Sequence, residues 1–242
     1  MYPEICTIGP FTVYSYGLML ALAFMASIAL ARIQAKRENI SQDLIFNFSF
    51  LIFVSGIIGA RIFYIIENAG YYIKRPIDII MLQQGGLSWF GGLTFSIVCG
   101  IIYLKKKRVL VYKIFDLIAP FLALAQSIGR VGCLLNGCCF GRVSKFGIYF
   151  PVHNAVIIPT QIYSSLALVL IFIILRFLQD KPHREGKIFF AYLLLYSLKR
   201  FFIEFWRADN PSVLFGLTLF QALSIIIFCL SLVKLVLIKR KN

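Results

Sequence analysis

The run Leu117-Ile118-Ala119-Pro120-Phe121-Leu122-Ala123-Leu124-Ala125-Gln126-Ser127-Ile128 passes directly into Gly129-Arg130-Val131-Gly132-Cys133-Leu134-Leu135-Asn136-Gly137-Cys138-Cys139-Phe140-Gly141-Arg142. The first half is hydrocarbon, whereas the second sets four glycines, three cysteines, an amide and two guanidiniums side by side. After a short polar loop another apolar run begins at Ile157, so the polar segment sits at or near the end of a membrane span. Its glycines let the backbone come close to a ligand or turn sharply, and two fixed positive charges suit a phosphate. The segment reads as a polar site for an anionic group at a membrane surface.

Composition agrees. Of the 242 residues 60% are hydrophobic and 14% charged, and the mean hydropathy is +0.85. Soluble domains do not reach such values, so the expected class is an all-α integral membrane protein. A net charge of +15 would suggest nucleic acid in a soluble protein. Here most cations fall in short loops between apolar runs, where the positive-inside bias accounts for them, and no nucleic-acid partner is implied.

Runs long enough to cross the hydrocarbon core lie at about 11–31, 44–66, 87–104, 114–131, 158–178, 187–206 and 214–238. They predict a bundle of about seven transmembrane helices forming a single domain over 1–242. Cations cluster after the first run (Arg32, Lys36, Arg37), the third (Lys105, Lys106, Lys107, Arg108, Lys113), the fifth (Lys181, Arg184, Lys187) and the last (Lys239, Arg240, Lys241). Those sides are cytoplasmic, giving an outside N-terminus, a cytoplasmic C-terminus and a glycine-rich segment on the outer side. No Lys or Arg precedes Arg32, so the first run is expected to be a span rather than a signal peptide.

A charge inside a span costs roughly 2.5–3.5 kcal/mol on insertion scales, which makes each one a functional candidate. Arg200 and Glu204 stand four apart in the sixth run and Arg207 three further on, so a helix places all three on one face. Their structural alternative is an ion pair anchoring the helix, with Arg207 snorkelling; a buried pair rarely improves stability over apolar residues, which favours function for Arg200 and Glu204. Lys199 faces elsewhere and reads as a counter-charge for a neighbour. Arg61 lies late in the second run. Asp116 reads as a cap on the start of the fourth helix. Tyr16 lies where an aromatic belt is ordinary, Gly91 and Gly92 open the third run where close helix packing is the plain alternative, and Gln161 could donate to an oxygen ligand.

Cys133, Cys138 and Cys139 stand apart from Cys99 and Cys229, which lie inside apolar runs as small hydrophobes. The trio is open to several readings: inert packing, a disulfide on an oxidising outer face, or an acyl or alkyl carrier. Its spacing matches no established zinc or iron–sulfur pattern, and no fourth ligand is evident.

Taken in order, Tyr16-Gly17-Leu18-Met19, the paired glycines of 85–93, the Gly129–Arg142 segment, Pro159-Thr160-Gln161-Ile162-Tyr163 and Arg200-Phe201-Phe202-Ile203-Glu204-Phe205-Trp206-Arg207 resemble the prolipoprotein diacylglyceryl transferases of bacterial inner membranes. The resemblance implies transfer of diacylglyceryl from phosphatidylglycerol to the thiol of a lipobox cysteine in a prolipoprotein, with glycerol-1-phosphate leaving, at a site facing the periplasmic or outer side. It implies no cofactor and no metal. Arg130, Arg200, Glu204 and Tyr16 take the catalytic roles, and Gly129, Asn136, Gly137, Arg142, Gln161, Arg207, Gly91 and Gly92 the substrate-binding ones. The chain departs from the family's pattern at Phe90, where a histidine usually stands, and at Cys133 and Cys138, usually asparagine and glutamate. A lipid-binding or lipid-translocating protein, or a transferase with another acceptor, is the rival reading that those departures raise.

Overall fold

Apolar backbone in lipid has no water to bond and must satisfy its N–H and C=O groups internally, so the apolar runs become helices. The computed structural model describes residues 1–8, 11–81, 85–208, 210–214 and 216–240. In chain order it comprises β1 (Glu4–Ile8), β2 (Phe11–Tyr14), α1 (Ser15–Arg37), α2 (Gln42–Glu67), α3 (Ala69–Tyr72), a 3-10 turn at Pro76–Ile79, α4 (Trp89–Lys106) and α5 (Val111–Asn136). Then follow β3 (Val143–Phe150), β4 (Ala155–Ile157), α6 (Thr160–Gln179), α7 (Lys187–Glu204), β5 (Ser212–Leu214), β6 (Leu217–Thr218) and α8 (Leu219–Arg240).

Long helices occupy all seven expected runs. Among the described residues, five of them, α1, α2, α5, α6 and α8, are long and apolar enough to cross a membrane. The other two, α4 and α7, have 18 residues each; α7 carries Lys199, Arg200 and Glu204, and α4 contains Gly91, Gly92 and Gly100 and ends on lysines. The expected boundaries shift where backbone pairing intervenes. Residues 11–14, and Leu214, Leu217 and Thr218, belong to small antiparallel hairpins rather than to the first and last helices, and β3 with β4 forms a third. Helix α5 runs five residues past its expected end at 131 and so takes Gly132, Cys133 and Asn136 into regular structure.

The chain forms two compact units: Arg32–Ile114, and Met1–Ala31 with Phe115–Asn242. In the first, α2 crosses α4 at glycines. A Cβ on Gly59 would lie 2.6 Å from the Gly91 carbonyl oxygen, one on Gly91 would run into the Gly59 carbonyl, and one on Gly92 would lie 3.1 Å from the Gly56 carbonyl. Between lipid-embedded helices there is no hydrophobic drive, so close backbone approach of this kind supplies the attraction. Gly91 and Gly92 are therefore accounted for by the helix crossing.

Arg61 of α2 is buried and spent entirely on backbone. Its Nε donates to Ile79 O (3.1 Å), Nη1 to Gly85 O (2.6 Å) and Gly86 O (3.0 Å), and Nη2 to Asp78 O (2.5 Å) and Met81 O (3.2 Å), with the guanidinium over the Tyr72 ring. All five N–H groups of the fork have acceptors. Arg61 thus straps the connection between α3 and α4 down and offers no free donor to a ligand.

In the second unit, Ala119 and Ala123 of α5, Leu168, Ile171 and Leu175 of α6, and Ile188 and Tyr192 of α7 form a common core. Asp116 does cap a helix, but a neighbouring one rather than its own. Its Oδ2 accepts from Gly186 N (2.7 Å) and its Oδ1 from Phe189 N (2.8 Å), the exposed amides at the start of α7, whose N-cap residue Gly186 has no side chain to do so. This cross-helix cap sets the depth of α7 against α5, and hence the depth of the charges that α7 carries.

Candidate functional site

The end of α5 stops by a defined device. Gly137 has φ +74, its N–H donates to Leu134 O (3.1 Å), and the Cys138 N–H donates to Cys133 O (3.1 Å). That pair of bonds is the Schellman motif, which requires a left-handed residue one position past the helix and favours glycine there. Gly137, expected to bind substrate, is thus first of all the helix stop.

Beyond it the chain is sewn to the start of α6 and the end of α7. Thr160 Oγ1 donates to Cys139 O (2.8 Å) and Gln161 Nε2 to Cys138 O (2.7 Å). Gly141 N donates to Ile158 O (3.0 Å), Arg142 N to Trp206 O (2.8 Å), and Ile158 N to Arg142 O (3.1 Å). A Cβ on Gly141 would lie 2.7 Å from both the Ile158 and Trp206 carbonyl oxygens, so only glycine fits between those backbones. Gln161, expected to donate to a ligand oxygen, gives one of its two amide N–H groups to this stitching, while its buried Oε1 has no hydrogen-bond partner among the described residues. Arg142 is exposed, and its Nε reaches Arg207 O at 3.5 Å.

On α7, Arg200 Nη2 lies 3.0 Å and Arg207 Nε 4.0 Å from Glu204 Oε2. These are charge pairs; Oε2 accepts no directed hydrogen bond among the described residues, whereas Oε1 accepts from Asn210 Nδ2 (2.6 Å) and Thr218 Oγ1 (3.0 Å). Thr218 also starts α8 through a reciprocal capping box with Gln221, its Oγ1 accepting from Gln221 N and its N donating to Gln221 Oε1. The Arg200 guanidinium rests over the Phe220 ring at 4.5 Å. Position and orientation of the carboxylate and of Arg200 are therefore set by three segments.

Lys199 corrects the sequence reading. Among the described residues it has no acidic partner: its Nζ lies over the Tyr196 ring at 4.4 Å, and it stands in the electrostatic field of Arg130, Arg200 and Arg207. Arg130 and Arg207 act on Arg200 in the same way. Lys199 and Arg200 thus both lie in the field of Arg130 and Arg207, and among the described residues Arg200 and Arg207 pair with Glu204 while Arg130 makes no ion pair. Gly129, beside Arg130, faces open space where a side chain would be. Tyr16 at the start of α1 packs with Met19 against Gly132, whose Cβ would lie 2.9 Å from Met19 Cβ and 3.4 Å from the Tyr16 ring. Asn136 is the last residue of α5. The structure thus brings Tyr16, Gly129, Arg130, Asn136, Gly137, Arg142, Gln161, Arg200, Glu204 and Arg207 into one unit. Gly91, Gly92 and Phe90 belong to the other, where Phe90 is partly exposed and packs edge-on against Trp89 at 5.2 Å.

Cys133 is buried and Cys138 and Cys139 partly so, with no S–S bond among them. Hydrogen bonds from the Cys133 and Cys138 thiols hold the Cys139 thiol below the ordinary cysteine range, and the Arg130 and Arg207 guanidiniums add to this against the opposing effect of burial.

Counted among the described residues, cations outnumber carboxylates in this backbone-stitched site, an arrangement that suits an anionic group such as a phosphate. The family model for prolipoprotein diacylglyceryl transferase matches residues 3–237. The chain belongs to the prolipoprotein diacylglyceryl transferase family. Among its relatives, the phosphatidylglycerol–prolipoprotein diacylglyceryl transferase of Clostridium tetani is 33% identical over 86% of this chain and 86% of its own length. That of Streptococcus agalactiae serotype Ia is 31% identical over 99% of this chain and 97% of its own length, and that of Staphylococcus saprophyticus 35% over 93% and 85%. As a prolipoprotein diacylglyceryl transferase family member with several membrane-crossing helices, it is a multi-pass bacterial membrane protein and a transferase.

Proposed function

We propose that the protein transfers the diacylglyceryl group of phosphatidylglycerol to the thiol of a lipobox cysteine in a prolipoprotein. The observation that supports this is the grouping of Arg130 and Lys199 with Arg200 and Arg207, the last two paired with Glu204. In the reaction a C–S bond forms at the glyceryl carbon as its C–O bond to phosphate breaks, and glycerol-1-phosphate leaves with the bonding pair. Preorganised guanidiniums in a water-poor site stabilise the charge that develops on that leaving oxygen. Arg130, without a carboxylate partner among the described residues, is the group that takes the phosphate; Arg200, aimed by Glu204 and Phe220, is the second arm. Tyr16 and Asn136 lie at the α1 and α5 edges of the site, with Gly129 leaving room for the headgroup.

The thiol proton has no acceptor at Phe90. A free cysteine already exists to a few per cent as thiolate near neutral pH, and the cationic site favours that form, so the nucleophile is supplied without a histidine. The loop cations support seven spans, with the N-terminus outside, the C-terminus cytoplasmic and the site on the periplasmic or outer side of the bacterial inner membrane.

The test is incubation of purified protein with labelled phosphatidylglycerol and a lipobox peptide. Thioether-linked diacylglyceryl peptide and released glycerol phosphate are expected, with none when the lipobox cysteine is replaced by serine. Stoichiometric lipid binding without thioether would instead support the lipid-binding or lipid-translocating reading that Phe90 favours.

A further inference from the structure

The Schellman turn folds the chain back on the last turn of α5, and Cys139 then adopts a left-handed conformation (φ +61) that side chains rarely take. As a result the Sγ atoms of Cys133, Cys138 and Cys139 all lie within 4.8 Å of one another. We propose that these three sulfurs bind a soft d10 cation, zinc or copper(I), at the end of α5 beside the arginine cluster.

The geometry suits a metal. With metal–sulfur bonds of about 2.3 Å, three ligands on a trigonal or tetrahedral face stand about 3.8–4.0 Å apart, a small adjustment for side chains already this close. The backbone that carries two of them is fixed beforehand by Thr160 and Gln161 on the Cys139 and Cys138 carbonyls, so the ordering cost of collecting ligands is largely met by the fold. Soft thiolates select zinc and copper(I) over hard cations. On binding, the three S–H protons leave to water and each sulfur donates an electron pair. Three thiolates with zinc keep one negative charge and with copper(I) two, and Arg130 and Arg207, which act electrostatically on Cys139, compensate it. For zinc the fourth position is open to water, for which Gln161 Oε1, buried without a partner among the described residues and part of the amide that holds Cys138, is a candidate acceptor. The sequence spacing did not reveal this, because the left-handed turn rather than a regular interval brings the thiols together.

The site stands on the cysteines alone, whatever the enzyme's substrate. Full-length protein in detergent, reduced with a phosphine and freed of metal, is titrated with zinc alone and with copper(I) alone against chromophoric chelators. One equivalent of one of these ions is expected, with thiolate-to-metal absorption in the near ultraviolet for copper(I) and a raised melting temperature. Cys138→Ser and Cys139→Ser should each weaken binding at least tenfold, while the combined Cys6→Ser, Cys99→Ser, Cys229→Ser protein binds as before. Because Cys133 is buried, its serine variant can fail to fold; Cys139→Ser, whose metal-free melting temperature is measured alongside, decides. Absence of stoichiometric binding by either ion overturns the proposal, as does binding that survives the Cys138→Ser, Cys139→Ser double variant.

Discussion

Glu204→Gln separates the charge of this carboxylate from its hydrogen bonds. The amide can still accept from Asn210 and Thr218 through Oε1, but it no longer balances Arg200 at 3.0 Å or Arg207 at 4.0 Å. The Glu204 side chain is 0% exposed and Arg200 only 12%, so solvent does little to replace the lost charge. Removing one partner of a buried pair costs roughly 3–5 kcal/mol, since the other charge is left uncompensated. The lower end applies here because the hydrogen bonds remain, giving about 3 kcal/mol for glutamine. Alanine loses two further hydrogen bonds at about 1 kcal/mol each, giving about 5 kcal/mol. In a chain of this size each kcal/mol lowers the melting temperature by roughly 2–4 °C, so glutamine should cost about 6–12 °C and alanine about 10–20 °C. Melting in detergent measures both, and turnover with lipobox peptide measures the loss of a correctly aimed Arg200. Adding phosphatidylglycerol should recover part of the glutamine deficit, its phosphate supplying the missing negative charge. A glutamine variant that melts and turns over like the parent would refute the claim that this carboxylate sets the site.

Other outcomes follow from the same geometry. Arg130→Lys keeps the charge but loses the planar fork, so activity should fall strongly at nearly unchanged melting temperature, and Arg130→Ala should lose nearly all activity while still folding; an Arg130→Lys enzyme with full turnover would remove this residue from the phosphate site. Arg61→Lys leaves three donors for five carbonyls, so at least two charge-assisted bonds of about 1.5–3 kcal/mol each disappear; hydrogen exchange across 73–86 should quicken, and unchanged protection there would show that the strap is not holding the loop. A reporter at the C-terminus should read cytoplasmic and one inserted in the 143–157 hairpin external, and the opposite result would reverse the sidedness of the site.

Hydropathy revealed the helices because lipid leaves the backbone few alternatives, and the in-order motifs pointed to the family and to Arg130, Arg200 and Glu204 as candidates. What the sequence hid was contact made across distance. Asp116 looked like a cap for the helix containing it, yet its acceptors serve α7, some 70 residues away. Arg61 looked like a buried charge available for function, but its five acceptors come from carbonyls 17 to 25 residues later, in an irregular stretch with no periodic signal. The hairpins flanking α1 and α8 were absorbed into apolar runs because short strands of Phe, Val and Leu are as hydrophobic as the helices they adjoin.

The partners of Glu204 also impose an order on biogenesis. Lys199, Arg200 and Glu204 make α7 a poor candidate to leave the translocation channel for lipid unaided, and Asn210, Thr218 and Phe220, which satisfy that helix's charges, are synthesised after it. Until they emerge, α7 has no reason to remain at its final depth. The last helix is therefore an insertion partner as well as a span: a chain that stops short of residue 219 would present Arg200 on a helix the bilayer has no cause to retain.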